Sequence, residues 1–328
     1  MSENWLGRNV FVTGASGLIG SGVVAALLAR KATVIALVRD NNPNTELFRS
    51  GNISRVEVVS GKLEDYESLE RAINKYEIDT VIHLGAQTIV GAAQRNPMST
   101  FESNVRGTYN LLEACRVHRS LVRRVVVASS DKAYGETADL PYLETQPLVG
   151  KFPYEVSKSC ADLIAQSYFH SYELPVAVAR CGNVFGPGDL NWSRVVPGTI
   201  RSLLADQAPI IRSDGQYLRD YIYLEDVVDG YLHLVEALDD RKFWGQSFNF
   251  SHGDPLKVLE IVAHIQKIMD KMHIEPDIQN TATGEIRDQY LSVTKAQEML
   301  GWQSKHSIEA GLVKTIEWYA KFLEKESL

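Results

Sequence analysis

Short apolar runs separated by longer stretches of helical periodicity fill the first two-thirds of the chain. NVFVTG, TVIALV, RVEVVSG, TVIHLGA, RRVVVAS and PVAVARC carry few polar alternations. That is the pattern of strands buried on both faces. Between them SGVVAALLAR, ESLERAINKY, FESNVRGTYNLLEACRVH and SKSCADLIAQSYFHSY repeat apolar positions as a helix does. Strand and helix in alternation predict βαβ units, hence an α/β fold with a doubly wound parallel sheet and right-handed crossovers.

The texture changes near Cys181. GNVFGPGDLNWSRVVPG is rich in glycine and proline, and VVPGTIRSLLADQ, LEDVVDGYLHLVEAL, LKVLEIVAHIQKIMD and SIEAGLVKTIEWYAKFLEK follow as helices. FNFSHG, around Phe248, again reads as a strand. The simplest division is a large lobe over residues 1–182, completed by parts of 215–252, and a smaller lobe formed mainly by 183–328. No internal repeat or low-complexity tract interrupts it.

Composition narrows the classes. The 328 residues are 45% hydrophobic and 23% charged, enough for a large core or two unequal lobes. A net charge of −7, spread rather than blocked, disfavours nucleic acid or an anionic membrane as partner. No apolar run approaches the ~18 residues of a membrane span, and MSENWLGRNV lacks the charge and apolar core of a leader. Cys115, Cys160 and Cys181 form no CxxC pair and suit buried, reduced thiols. The expectation is a cytoplasmic protein without a metal, since no histidine spacing suits one.

Chemistry begins in the first strand–helix turn. VFVTGASGLIGSG sets Gly14, Gly17 and Gly20 between strand and helix. Glycines allow a tight turn and close backbone approach, and a helix N-terminus offers N–H groups to a pyrophosphate. The spacing is GxxGxxG, and Gly14, Ser16, Gly17, Leu18, Ile19 and Gly20 become candidate cofactor residues. The second strand ends in Arg39 and Asp40. An acid there suits the free ribose hydroxyl of NAD, and an arginine suits the extra phosphate of NADP. Arg39 inclines the reading to NADP, and a solvated Arg–Asp pair is the alternative.

PYEVSK places Tyr154 and Lys158 four apart at a helix start, so both face one way. An ammonium beside a phenol favours tyrosinate, which can take a proton from an alcohol as its hydride leaves to a nicotinamide.

TGASGLIG, HLGAQ, the Asn104 helix, SSDKAYG, YEVSK and RCGNVFGPGD, in that order, resemble the extended short-chain dehydrogenase/reductases, over nearly the whole chain. The resemblance implies a Rossmann-type lobe, a smaller C-terminal lobe for the substrate, a nucleotide-diphosphate sugar as substrate and a tightly held NAD or NADP. It also implies a homodimer joined through helices near residues 100–118 and 154–172. By motif, Ser130 binds the sugar's 4-oxygen, Tyr154 is the base there, and Lys158 holds the nicotinamide ribose. Asn183 meets the substrate phosphates. Leu63, Leu84, Ala86 and Asn104 are further cofactor positions, and Gln87 a substrate position. One departure is Gly61-Lys62-Leu63, where the family has G-D-L, so the adenine contact falls in doubt at Lys62. His83 reads as packing.

Family members share oxidation at C4 of the sugar. Dehydration needs two further groups, a base for the C5 proton and an acid for the departing C6 hydroxyl, with pKa values pushed apart. Asp131 and Lys132 directly follow Ser130. This S-D-K order, with HLGAQTIV and the Arg194–Pro197 segment, resembles the CDP-glucose 4,6-dehydratases. Asp131 is then the acid at C6, and Lys132, if partly buried beside Lys158, the base at C5. A strand-end ion pair is the plainer alternative. Arg194, Arg219 and Arg287 suit a diphosphate by bidentate bonding, or pair with local acids such as Asp220 or Glu225. A 4-epimerase or 4-keto reductase stays open within the fold. A non-catalytic, NAD(P)-sensing protein is more remote, because Ser130, Tyr154 and Lys158 are all present.

Overall fold

The computed structural model describes residues 5–326. Seven parallel strands form the central sheet: β1 (Asn9–Thr13), β2 (Thr33–Val38), β3 (Glu57–Ser60), β4 (Thr80–His83), β5 (Arg124–Ala128), β6 (Val176–Cys181) and β7 (Ser247–Phe250). Their spatial order is β7-β6-β5-β4-β1-β2-β3. The order reverses between β1 and β4, the position at which doubly wound sheets open a ligand crevice above the strand ends.

Successive side chains of each strand enter opposite cores. Val10 and Val12 join Val34, Ala36, Ala177 and Phe248 on one face. Phe11 joins Ile35, Leu37, Val125 and Val178 on the other. Helices Leu18–Ala29 and Leu224–Ala237 pack on the first face, and Tyr66–Lys75, Gly107–Val117 and Pro153–Tyr172 on the second. All strands read from the sequence are present, but β3 is largely exposed. It is the sheet edge, and its neighbours cover it on one side only.

A third core, in the smaller part of the chain, gathers Phe185, Ile200, Tyr223, Ile261, Ile308 and Tyr319. Helices Val195–Leu204, Val258–Ile268 and Ile308–Glu326 supply most of it. Trp302, near the C-terminal end of the chain, belongs to the sheet core. It meets Phe250 of β7 edge-on, with ring centroids 4.8 Å apart. Edge-to-face pairs contribute about 1 kcal/mol beyond their burial.

The pattern FESNVRGTYNLLEACRVH predicts one helix. The structure has a helix from Pro97 to Phe101, a π-helical turn over Glu102–Arg106, and a helix from Gly107 to Val117. Such wide turns often mark functional sites. Cys115, Cys160 and Cys181 are free; Cys160 is half-exposed rather than buried. Among the described residues, no helix is long and apolar enough to cross a membrane, and no cluster of three or more metal-binding side chains forms.

Candidate active site

A cleft of about 940 Å³ runs along the C-terminal ends of the strands and under the small lobe. Its floor is the first glycine turn. Gly14 has φ +66°, and a Cβ there would sit 2.7 Å from the Gly85 backbone. At Gly20 a Cβ would meet the Gly14 carbonyl oxygen at 2.0 Å. The backbone therefore closes on itself only with glycine, and the helix beginning at Leu18 presents its N-terminus to the cleft without a side-chain cap. This cradle fits the pyrophosphate of a dinucleotide. Ser16, Gly17, Leu18, Ile19, Leu63, Leu84 and Ala86 line it as well.

Arg39 and Asp40 both line the cleft, and bond each other, Arg39 Nε to Asp40 Oδ2 at 2.6 Å. Lys62 lines it with an exposed side chain. Asn104 does not. Buried on the π-helical turn, its amide accepts from the Gln87 backbone N–H at 2.6 Å and donates to the Gln87 carbonyl at 3.0 Å and Ser157 Oγ at 2.9 Å. Asn104 thus fixes the segment beside the cleft, and Gln87, held by it, is likewise outside the lining. His83 bonds Thr13 Oγ1 at 2.7 Å and Thr108 Oγ1 at 3.0 Å. Burial pushes its pKa down to about 3, so it is a neutral packing element.

The helix Pro153–Tyr172 starts with proline in its first turn and a Glu155 side chain that accepts from the Lys151 and Phe152 N–H groups at 2.9 and 3.3 Å. That start puts Tyr154 and Lys158 on the cleft side. Lys158 Nζ donates to the Ala128 carbonyl at the end of β5, at 2.9 Å. Burial lowers its pKa to about 8. Tyr154 is pushed up to about 12, by burial first, with the Ser130 hydrogen bond opposing. The Ser130 hydroxyl and Arg194 act in the lowering direction.

At the end of β5, Ser130 Oγ donates to Asp131 Oδ1 at 3.0 Å and accepts from the Lys132 N–H at 3.2 Å. Tyr134 pins this turn: it donates to Asn249 Oδ1 at 2.8 Å, accepts from Arg180 at 2.8 Å, and stacks on Tyr142. Arg180 in turn pairs with buried Asp162 at 2.8 Å. Asp131 is only 2% exposed, and Lys132 is half-buried, so a solvated surface pair does not describe them. Burial lowers the Lys132 pKa, opposed by Asp131 and assisted by Arg219. The cationic neighbour is therefore Arg219, where the sequence suggested Lys158.

Asn183, Arg194 and Arg219 line the small-lobe wall. Arg194 pairs with Asp189 at 2.9 Å, and Arg219 with Glu285 at 3.3 Å while also donating to the Arg287 carbonyl at 2.8 Å. The Arg287 side chain lies outside the lining, exposed, 3.7 Å from Asp214. It contributes its backbone, not its guanidinium. Gln289, to which no sequence motif points, completes the site. Its amide joins Asp131 and Lys132, and only a pairing of distant strands brings it there.

Known proteins share this fold. The family described as GDP-mannose 4,6 dehydratase matches residues 11–315. CDP-glucose 4,6-dehydratase of Salmonella typhimurium is 29% identical, covering 99% of this chain and 94% of that one. The UDP-glucose 4-epimerase of Thermotoga maritima, solved with UDP-glucose, superposes with a TM-score of 0.88 at 30% identity, covering 96% of this chain and 100% of that one. A dTDP-glucose 4,6-dehydratase of Streptomyces venezuelae, solved with NAD, gives 0.86 at 26% identity, covering 96% and 97%. The chain spans 47% of the length of the first curated relatives it matches, trifunctional proteins of Arabidopsis thaliana.

Proposed function

Since the chain belongs to the GDP-mannose 4,6 dehydratase family, we propose that it is a nucleotide-diphosphate-hexose 4,6-dehydratase, a lyase that eliminates one water from the sugar. The observation that carries this reading is buried Asp131 with half-buried Lys132 in the cleft beside Ser130, Tyr154 and Lys158. A 4-epimerase needs the last three and has no use for the first two. The epimerase neighbour shares the fold, and fold alone does not choose.

A nicotinamide dinucleotide in the cleft would take up the C4 hydride and release it at C6. Tyr154 accepts the C4 hydroxyl proton in its tyrosinate form, the form that its Ser130 hydrogen bond and Arg194 favour against burial, and Ser130 bonds the same oxygen. Lys158 would hold the cofactor's ribose beside Tyr154. The C4 carbonyl acidifies C5–H, and Lys132 takes that proton as a neutral amine, a state that its burial favours. Asp131 gives a proton to the C6 oxygen, the C6–O bond breaks, water leaves and a C5–C6 double bond remains. Lys132 returns its proton to C5 as C6 becomes a methyl group. Tyr154 has gained one proton and Asp131 has lost one, so the sum is loss of water with no net oxidation.

Arg194 and Arg219, with Asn183, serve the diphosphate; Arg287 is left out because its side chain points away from the cleft. We take the cofactor to be NAD rather than the NADP suggested by Arg39 alone, because Asp40 engages the Arg39 guanidinium and the dehydratase neighbour was solved with NAD. The S-D-K order and the Salmonella relative favour CDP-glucose among the substrates. Helices Gly107–Val117 and Pro153–Tyr172 expose Val117, Leu163 and Tyr172, and the short helix Pro97–Phe101 exposes Met98, apolar side chains that suit a homodimer contact. The test is incubation of the protein, without added cofactor, with CDP-, GDP-, UDP- and dTDP-glucose. Mass spectrometry should show loss of one water from one of them; unchanged mass with an altered sugar would mean an epimerase.

A further inference from the structure

Gln289 belongs to the short strand Asp288–Gln289 of the small lobe, yet it has no exposed surface and reaches the end of β5. Its Nε2 donates to Asp131 Oδ2 at 2.5 Å, and its Oε1 accepts from Lys132 Nζ at 3.0 Å. Each end of the amide meets the polarity it needs. Turned over, it would set its NH₂ against the Lys132 N–H donors and its oxygen against Asp131 Oδ2. The acid and the amine are thus joined through a neutral group.

We propose that Gln289 is a positioning residue for the elimination, an amide spacer that holds Asp131 and Lys132 apart as separate acid and base. The proposal rests on the dehydratase reading and on the roles given there to Asp131 and Lys132. Opposite charges in direct contact inside a low-dielectric site attract strongly. Contact would hold the proton on the lysine and off the aspartate, the arrangement in which neither performs its step. A neutral amide satisfies the hydrogen bonds of both groups without adding a charge. Glutamine has the required length and both polarities.

The spacer's origin gives it a second property. Asp288–Gln289 pairs in parallel with Leu218–Arg219, with Gln289 opposite Arg219. Arg219 lines the cleft and bonds the Arg287 carbonyl. The strand pair that offers a guanidinium to the diphosphate therefore also carries the amide that sets the acid–base pair. The sugar's two ends are read by one small piece of sheet.

The test uses the full chain with two variants, Gln289→Leu and the isosteric Gln289→Glu. Charged and titratable groups facing Lys132 are Asp131, Arg219, Glu285 and Glu155. Those facing Asp131 include Tyr142, Tyr154, Cys181 and Asp220. The carboxylate introduced by Gln289→Glu would add one negative charge to this set. In Gln289→Leu, water loss and solvent deuterium uptake at C5 should fall at least ~10-fold, less than the ~10²–10⁴-fold of a removed acid or base because both groups remain and are only displaced. C4 oxidation, followed in a single turnover by absorbance of the reduced nicotinamide, should stay within about threefold. In Gln289→Glu, competitive acetylation of Lys132, read by mass spectrometry against pH, should shift its midpoint up by about one unit. Equal losses of C4 oxidation and water loss would mean a merely structural role and overturn the proposal. An unmoved acetylation midpoint would overturn it too. If the unmodified protein dehydrates no NDP-hexose, the dehydratase reading has failed separately, and the acetylation midpoint alone decides on the spacer. If Gln289→Leu does not fold, Gln289→Glu carries the test.

Discussion

Replacing Asp131 with asparagine separates the two halves of the proposed reaction. The side chain is 2% exposed, accepts from Ser130 Oγ at 3.0 Å and from Gln289 Nε2 at 2.5 Å. Asparagine keeps the shape and one acceptor. It cannot give a proton to the C6 oxygen, and its NH₂ must face either Ser130 or Gln289. Removal of a positioned general acid slows a step by about 10²–10⁴-fold, or ~3–5 kcal/mol in the barrier. With its oxygen toward Gln289 and its NH₂ toward the Ser130 hydroxyl, which can accept, asparagine keeps both bonds, and stability should change by less than ~1 kcal/mol. Single-turnover mixing with the active NDP-hexose follows both halves at once, reduced nicotinamide by absorbance and water loss by mass spectrometry. The expected trace is near-normal C4 oxidation, accumulated reduced cofactor and delayed water loss. Wild-type water loss in the variant would refute the assignment. So would a parallel collapse of both signals in a folded protein with its cofactor bound.

Lys158→Met should abolish C4 oxidation but stabilise the fold at neutral pH. Burial lowers the Lys158 pKa from 10.5 to about 8, so the unfolded chain binds more protons between those values and stability rises with pH there. The variant escapes that penalty, a net gain of ~1–3 kcal/mol after the lost bond to Ala128. The gain should be full below pH 8 and gone above 10.5, which denaturant melts against pH will show. Leu163→Glu, on the exposed apolar helix face, should yield a monomer by sedimentation while melting within about 0.5 kcal/mol of the parent subunit; an unchanged oligomer would remove that face from the interface. Denaturing the purified protein should release NAD rather than NADP, and recovery of NADP would show that Arg39 is freed from Asp40.

Local chemistry was legible in the sequence, and long-range placement was not. Gly14 and Gly20 announce themselves because a short loop with no room for Cβ tolerates little else. Ser130, Asp131, Tyr154 and Lys158 could be read because a strand end and a helix start put their side chains on one side within a few residues. Asn104 sits in a helical pattern, but the π-helical turn there shifts the phase, and sequence periodicity does not record it. Arg287 and Gln289 lie two apart in the same stretch, and the arginine drew attention by its charge. The register of a two-residue strand against Leu218–Arg219 turns the uncharged residue inward, and nothing local specifies that register. Trp302 likewise joins the sheet core because the chain returns to β7, a tertiary event with no local signal.

The central claim is an elimination carried by a hydride that leaves C4 and arrives at C6 of one sugar. Deuterium placed at C4 of the nucleotide-diphosphate glucose tests it directly, with the product read by NMR. The account predicts a 4-keto-6-deoxy sugar with that deuterium in its C6 methyl group and one water lost. Deuterium retained at C4 of an undehydrated, inverted sugar would contradict it and make Asp131 and Lys132 bystanders to an epimerisation.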